Sequence, residues 1–389
     1  MSAPSQAPRD GAHTEVKMEA NASGWARIYQ AARDLYVIVV NLPRSLTISL
    51  VTLIAGSMLA GVGWVIVEVV LPQTAPTYKT QFLIDTTSDP GEIARTLTTV
   101  TGSAGDRDAL ALRSFGGECG AEDNTTQLVP FGEGNRREIE AAAGRVRGGG
   151  DSTLLRGVVA AVEDFTTPFA LRARQVNRVI VITRNGADAC DEDTGFVEQE
   201  IKERIASAGL SIRFRLVGYQ VPRGRRAGLE RVATATGATA PLYAGTPEQL
   251  RAALDWFTNV EPVLENATRV TGALNTTVGR IEAALKAVGD GRADVADREL
   301  RRAAATRVDT ELEDLAGRAK TPAARDIHTR AADLRAHQTR LLDGARRVTG
   351  GDLAALASLE RAADDYNDKV KRMNEAIDAL RATLPRSGS

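Results

Sequence analysis

Histidine is scarce in this chain, with three among 389 residues and none between residues 80 and 250. That excludes a histidine-based nucleophile from the first folded unit and argues against a zinc site there. Cysteine is scarcer still: Cys119 and Cys190 are the only two. Excess charge of either sign is missing as well, with 49 basic residues against 50 acidic. No basic stripe carries interleaved aromatics, so nothing in the composition points to nucleic acid. Long apolar runs are also absent, with one exception.

That exception is Leu46 to Val67, twenty-two residues without an ionisable side chain. As a helix rising about 1.5 Å per residue it is roughly 33 Å long, enough to cross the hydrocarbon core of a bilayer. A single transmembrane helix is therefore expected within residues 45–72. The flank before it holds Arg27, Arg33 and Arg44, whereas the flank after it offers only Lys79. The positive-inside bias then puts residues 1–44 in the cytoplasm and the remainder outside, as in a single-pass cell-membrane protein. Both cysteines fall in the outer part, where a disulfide can persist. A cleaved signal peptide is the competing reading, but the run is too long for a typical apolar core of that kind and begins only after residue 45. Ahead of it, Trp25, Ile28, Tyr29, Ala32, Leu35, Tyr36 and Val39 recur at helical spacing with arginines between them. This is the pattern of an interfacial helix over residues 25–44. Residues 1–24 have almost no apolar bulk and are expected to be disordered. Within the span, Gly56/Ala60 and Ser57/Gly61 are small-residue pairs that let helices approach, which leaves a homo-oligomer open.

Beyond the anchor the composition changes near residue 256. Over residues 78–256, short apolar runs at Phe82–Ile84, Leu110–Phe115, Val179–Ile182 and Ile212–Val217 alternate with amphipathic stretches such as Leu154/Val158/Val162 and Val197/Ile201/Ile205. Such alternation implies an α/β fold, a doubly wound and mostly parallel sheet covered by helices on both faces. The uninterrupted run at 179–182 reads as a central strand, while Arg213 and Arg215 make the 212–217 strand more exposed. Ligands of such sheets bind outside the carboxyl ends of the strands. Polar turns collect at those ends: Asp85-Thr86-Thr87-Ser88-Asp89, Gly150-Asp151-Ser152-Thr153-Leu154, and Thr183-Arg184-Asn185-Gly186. Converging turns of this kind offer carboxylate and hydroxyl oxygens to a hard cation such as magnesium. Alternatively, Asp85 and Ser152 simply cap helix N-termini.

Through these three turns, in this order and spacing, the chain resembles the von Willebrand factor A domain family, of the bacterial membrane-anchored type. The resemblance covers about 175 residues, from the first strand to the helix around Pro247–Leu254. It implies a metal-ion-dependent adhesion site, here degenerate. Asp85 and Thr87 match that site by position, Ser152 stands where the family has Thr, Asn185 where it has Asp, and Asp89 where it has a second hydroxyl residue. The implied cofactor is Mg2+ or another divalent cation. The resemblance also implies that the turns bearing Cys119 and Cys190 lie on one side of the sheet, where the two sulfurs can pair; two free thiols are the alternative.

Residues 257–389 are rich in Ala, Arg, Leu, Glu and Asp. Leu274, Val278, Ile281, Leu285 and Val288 keep a 4-3-4-3 spacing, as do Tyr366, Val370, Met373, Ile377, Leu380 and Leu384. Breakers at Gly289-Asp290-Gly291, Thr321-Pro322 and Gly350-Gly351 divide the region into about four helices, a bundle or coiled coil. The stripes serve either the bundle's own core or a partner. Asn124, Asn266 and Asn275 begin glycosylation-type triplets, to which no function is attached. The expected function is that of a membrane-anchored extracytoplasmic binding protein whose sheet domain engages a protein or cell-envelope ligand. The alternative is a membrane dock whose residues 1–44 hold a cytoplasmic protein assembly, for example a secretion or injection machine, at the membrane. No nucleophile–base pair can be named, so the chain is not read as an enzyme.

Overall fold

A computed structural model describes residues 78–121, 123–165, 175–190 and 194–385. The expected disordered tail (1–24), interfacial helix (25–44) and transmembrane helix (45–72) lie outside the described residues. Among those described, no helix is long and apolar enough to cross a membrane.

The first half is a six-stranded sheet in the order β3-β2-β1-β4-β5-β6. Strands β1 (Tyr78–Asp85), β2 (Ala109–Phe115), β4 (Val176–Thr183), β5 (Ile212–Tyr219) and β6 (Leu242–Ala244) run parallel. Only β3 (Thr125–Glu133) is antiparallel, along β2. Every residue of β1 is buried, as a strand covered on both faces requires. Helices α1 (Gly91–Thr101), α2 (Arg136–Ala143) and α6 (Pro247–Asp255) cover one face through Ile93, Leu97, Ile139, Leu250 and Leu254. Helices α3 (Leu154–Glu163), α4 (Thr194–Ser207) and α5 (Arg226–Ala235) cover the other through Leu154, Val158, Ile201, Leu229 and Val232. This is the mostly parallel, doubly wound α/β sheet expected from the alternating pattern. Two strands were not foreseen. The edge strand β3 mixes polar and apolar residues irregularly around Pro130, which blunts a free edge. The other, β6, is only three residues long.

A turn of π-helix at Trp256–Val260 leads into the helical half. It comprises α7 (Glu261–Gly289), α8 (Ala293–Ala304), α9 (Val308–Arg318), α10 (Pro322–Thr349) and α11 (Leu356–Arg381). These five helices make four legs, because α8 and α9 together run back along α7. The break between them, at Ala305–Arg307, carries neither Gly nor Pro and so gave no signal in the sequence. Leu274, Val278 and Ile281 of α7 and Tyr366, Val370, Met373, Ile377 and Leu380 of α11 are all buried in one core. The 4-3-4-3 stripes are thus used inside the chain. Leu384, the last position of the second stripe, lies past the end of α11 and is exposed.

The two halves meet at the amino-terminal ends of the strands. Tyr78 opens β1 and its ring lies between the guanidinium groups of Arg178 (4.6 Å to the ring centroid) and Arg318 (4.1 Å). The Tyr78 hydroxyl donates to Glu265 of α7 at 2.6 Å. Arg318 of α9 forms a two-pronged, buried ion pair with Asp108 just before β2. Arg213 and Arg215 of β5, read as an exposed strand face, are ion-paired with Glu265 and Glu261 of α7. Their charge therefore serves the junction.

Candidate functional site

The opposite, carboxyl end of the sheet carries the three polar turns. Asp85 ends β1 with 1% of its surface exposed, and its carboxylate accepts five hydrogen bonds. Oδ1 takes the amide N–H (2.8 Å) and the hydroxyl (2.7 Å) of Thr87, which ties its own turn. Oδ2 takes the Thr183 hydroxyl (2.7 Å) and the amide N–H groups of Arg184 (3.0 Å) and Asn185 (3.3 Å), which ties the turn after β4. Parallel pairing makes this possible, since Ile84 sits opposite Ile182 and one residue further the two chains splay apart. Asp85 is therefore a brace between two turns rather than a helix cap.

The turn before α3 is drawn over the first by its glycines. The Gly149 amide donates to the Thr86 carbonyl at 2.7 Å, and a Cβ on Gly148 would come within 2.5 Å of the Ser88 backbone. Gly150 has φ +85° and packs against Gly117, where a side chain would meet backbone at 2.6 Å. Gly117 and Asp151 exchange backbone hydrogen bonds at 3.1 and 2.7 Å, and Thr153 Oγ1 donates to the Asn124 carbonyl while accepting the Gly116 amide. On its other side this turn holds the third one: the Ser152 carbonyl accepts the Ala189 amide at 2.7 Å. Asp188 closes the contact, taking the Leu155 amide at 2.6 Å and the Cys190 amide at 2.9 Å.

All three turns do converge, and Cys119 and Cys190 are joined by a disulfide with their Cα atoms 5.3 Å apart. The free-thiol alternative is thereby set aside. The bond links the exposed turn after β2 to the one after β4, with the Ser152 turn hydrogen-bonded to both.

Within this frame two buried oxygens have no hydrogen-bond partner among the described residues, Ser152 Oγ and Asn185 Oδ1. Ser152 has none of its surface exposed, so its hydroxyl is fully removed from water. Burying such groups unpaired costs on the order of 1–3 kcal/mol each, which a bound water or ligand offsets. Asp89 is exposed and accepts the Gly91 amide at 3.0 Å, which places it at the start of α1. The donors fit a hard cation in type: the free oxygens of Ser152 and Asn185, the Thr87 hydroxyl, and the Asp85 carboxylate bracing them. They fit it weakly in charge, since Asp85 is saturated by protein donors and, among the described residues, no other carboxylate joins it. Among the described residues no group of three or more His, Cys, Asp or Glu is placed to hold a metal.

The sequence reading named Thr183 in its turn without its bond to Asp85, and it missed Asp188 as part of this frame. Neither lies in a short motif with its partner, since the contacts span 98 and 33 residues. It also left open Asn124, which is buried and whose carbonyl holds Thr153. Asn266 has no exposed surface at all, which removes it as a glycan acceptor in the folded chain.

No family model matches the chain, and no curated protein does. Solved structures similar to it include the pilus adhesin SpaC from Lactobacillus rhamnosus GG, at 12% identity and a TM-score of 0.39, over 48% of this chain and 30% of that one. A von Willebrand factor type A protein from Catenulispora acidiphila overlaps at 16% identity and 0.35, over 47% of this chain and 42% of its own. The vWF domain of the type V pili tip protein Mfa5 from Porphyromonas gingivalis overlaps at 10% and 0.35, over 47% and 94%. With values this low, none of the three says what this chain binds.

Proposed function

We propose that the chain is a membrane-anchored binding protein whose carboxyl-end face, around Asp85, Thr87, Ser152 and Asn185, engages a protein or cell-envelope ligand outside the cytoplasm. The anchoring half of this reading is supported by the apolar run Leu46–Val67 and the arginines before it. The binding half is carried by one observation, the pair of buried and unpartnered oxygens on Ser152 and Asn185. Ser152, Asn185 and Thr87 would hold a divalent cation there through neutral oxygens, with Asp85 supplying the negative charge behind them, and the cation would supply a positive centre for an acidic group of the ligand. This is binding and not catalysis, in keeping with the lack of histidine across the sheet domain.

The test is calorimetric titration of magnesium or manganese into the full-length protein, paired with cross-linked capture from intact membranes with and without chelator. Binding heat that disappears in Ser152→Ala, together with chelator-sensitive capture, supports the reading. Capture that is indifferent to chelator and to both Ser152→Ala and Asn185→Ala removes this face from the function.

A further inference from the structure

Among the described residues, four large apolar side chains are exposed: Phe196, Leu353, Leu356 and Leu384. Two of them lie together where α10 gives way to α11, Leu353 in the connecting turn at 74% exposed and Leu356 as the first residue of α11 at 39%. That turn is the far tip of the bundle. Helix α10 starts beside the sheet, where Lys320 is paired with Asp106, and continues for 28 residues, about 42 Å, before reaching it. Helix α11 then returns, with Lys369 pairing back to Asp333.

The chain outside the structure limits what this tip meets. The polypeptide enters at Tyr78, in the junction from which the bundle departs. Val67, the last residue of the apolar run, is eleven residues earlier. Even fully extended, such a connection spans only roughly 36–40 Å. If residues 46–67 cross the bilayer, the junction lies within roughly 36–40 Å of the lipid, a distance that a bundle about 42 Å long departing from it can bridge. We infer that the α10–α11 turn rests on the outer leaflet of the same membrane, with Leu353 and Leu356 inserted among the lipids as a second, weak contact. The inference rests on the anchored reading above.

The charges flanking the turn favour no particular headgroup: over residues 343–361, Arg346, Arg347 and Arg361 are offset by Asp343, Asp352 and Glu360. The contact is thus apolar, and two leucines hold a surface only feebly by themselves. Covalent attachment to the anchor changes that, because the tip is presented to the bilayer at high effective concentration and a weak affinity then suffices. The exposure of the leucines also has a purpose in this arrangement, whereas in water it is unfavourable.

The experiment uses the full chain, which has no free thiol because both cysteines are in the disulfide. An environment-sensitive fluorophore is attached at Ala354→Cys, and separately at Arg223→Cys, an exposed position in the turn after the carboxyl end of β5, and each protein is reconstituted into phosphatidylcholine vesicles. Expected are a blue-shifted emission quenched by spin-labelled lipid at 354, an aqueous emission at 223, and loss of the quenching when Leu353→Asp and Leu356→Asp are added. Protein that floats with the vesicles while position 354 stays unquenched overturns the tip contact and leaves the anchor standing. Protein that fails to float overturns both.

Discussion

At the scale of single residues, the carboxyl-end face divides into groups that hold the fold and groups left over from it. Asp85 belongs to the first kind. Its five donors include three backbone amides, one of which, that of Asn185, is shared with the Thr183 hydroxyl at 3.1 Å. Asp85→Asn keeps the shape but turns one acceptor into a donor facing donors, and is expected to cost roughly 3 kcal/mol in denaturant unfolding. Ser152 is of the second kind: its hydroxyl holds nothing. Ser152→Ala should leave stability unchanged or raise it by up to about 1 kcal/mol, since an unpaired buried hydroxyl is removed. The contrast makes Ser152→Ala the clean probe of binding, because an Asp85 variant loses structure along with any ligand. That the turns carrying residues 85, 87, 152 and 185 meet was legible in the sequence. Which oxygens are spent and which are free was not, because that depends on Thr183, far along the chain, reaching back to Asp85.

At the scale of elements, what periodicity encodes was readable and what turn geometry encodes was not. The runs at 82–84, 110–115, 179–182 and 212–217 became strands because each is apolar and bounded by polar turns. Strand β3 escaped notice because only Val129 in it is buried, so no alternation marks it. The same rule applies in the bundle, where the Gly and Pro breaks were visible and the break at Ala305–Arg307 was not. The disulfide joins two of the loops that periodicity leaves unspecified, across 71 residues of sequence. Closing a loop of that size is worth about 4 kcal/mol in the chain-entropy model. Both cysteines are exposed and so reachable by reductant. Reduction should lower the unfolding midpoint by an amount matched by the Cys119→Ser/Cys190→Ser protein, and reductant should do nothing further to that variant. A midpoint unmoved by reduction would mean that the backbone bonds at Gly117, Asp151 and Ala189 hold the turns unaided.

At the scale of the whole molecule, the sheet and the bundle are joined through charge stacked on one aromatic ring. Arg318 and Asp108 are both buried, so removing one partner leaves the other charged and dry. Arg318→Ala is expected to cost about 3–5 kcal/mol and to split a single calorimetric transition into two, because the bundle then loses its firmest hold on the sheet. The phenol beside that pair supplies a pH signature. Burial, and secondarily the Glu265 carboxylate, pushes the Tyr78 hydroxyl well above its ordinary range. A native state that keeps this proton when the unfolded chain would release it is stabilised in full below about pH 10, and loses that contribution as pH rises further. The unfolding midpoint of the wild type should therefore drop more steeply above about pH 10 than that of Tyr78→Phe, which lacks the titrating group, while the two run parallel between pH 7 and 9. Equal alkaline slopes would show that the junction opens before Tyr78 can ionise. Loss of the bundle's protease resistance at the same pH as the sheet's, seen only in the wild type, would identify the junction as the part that yields.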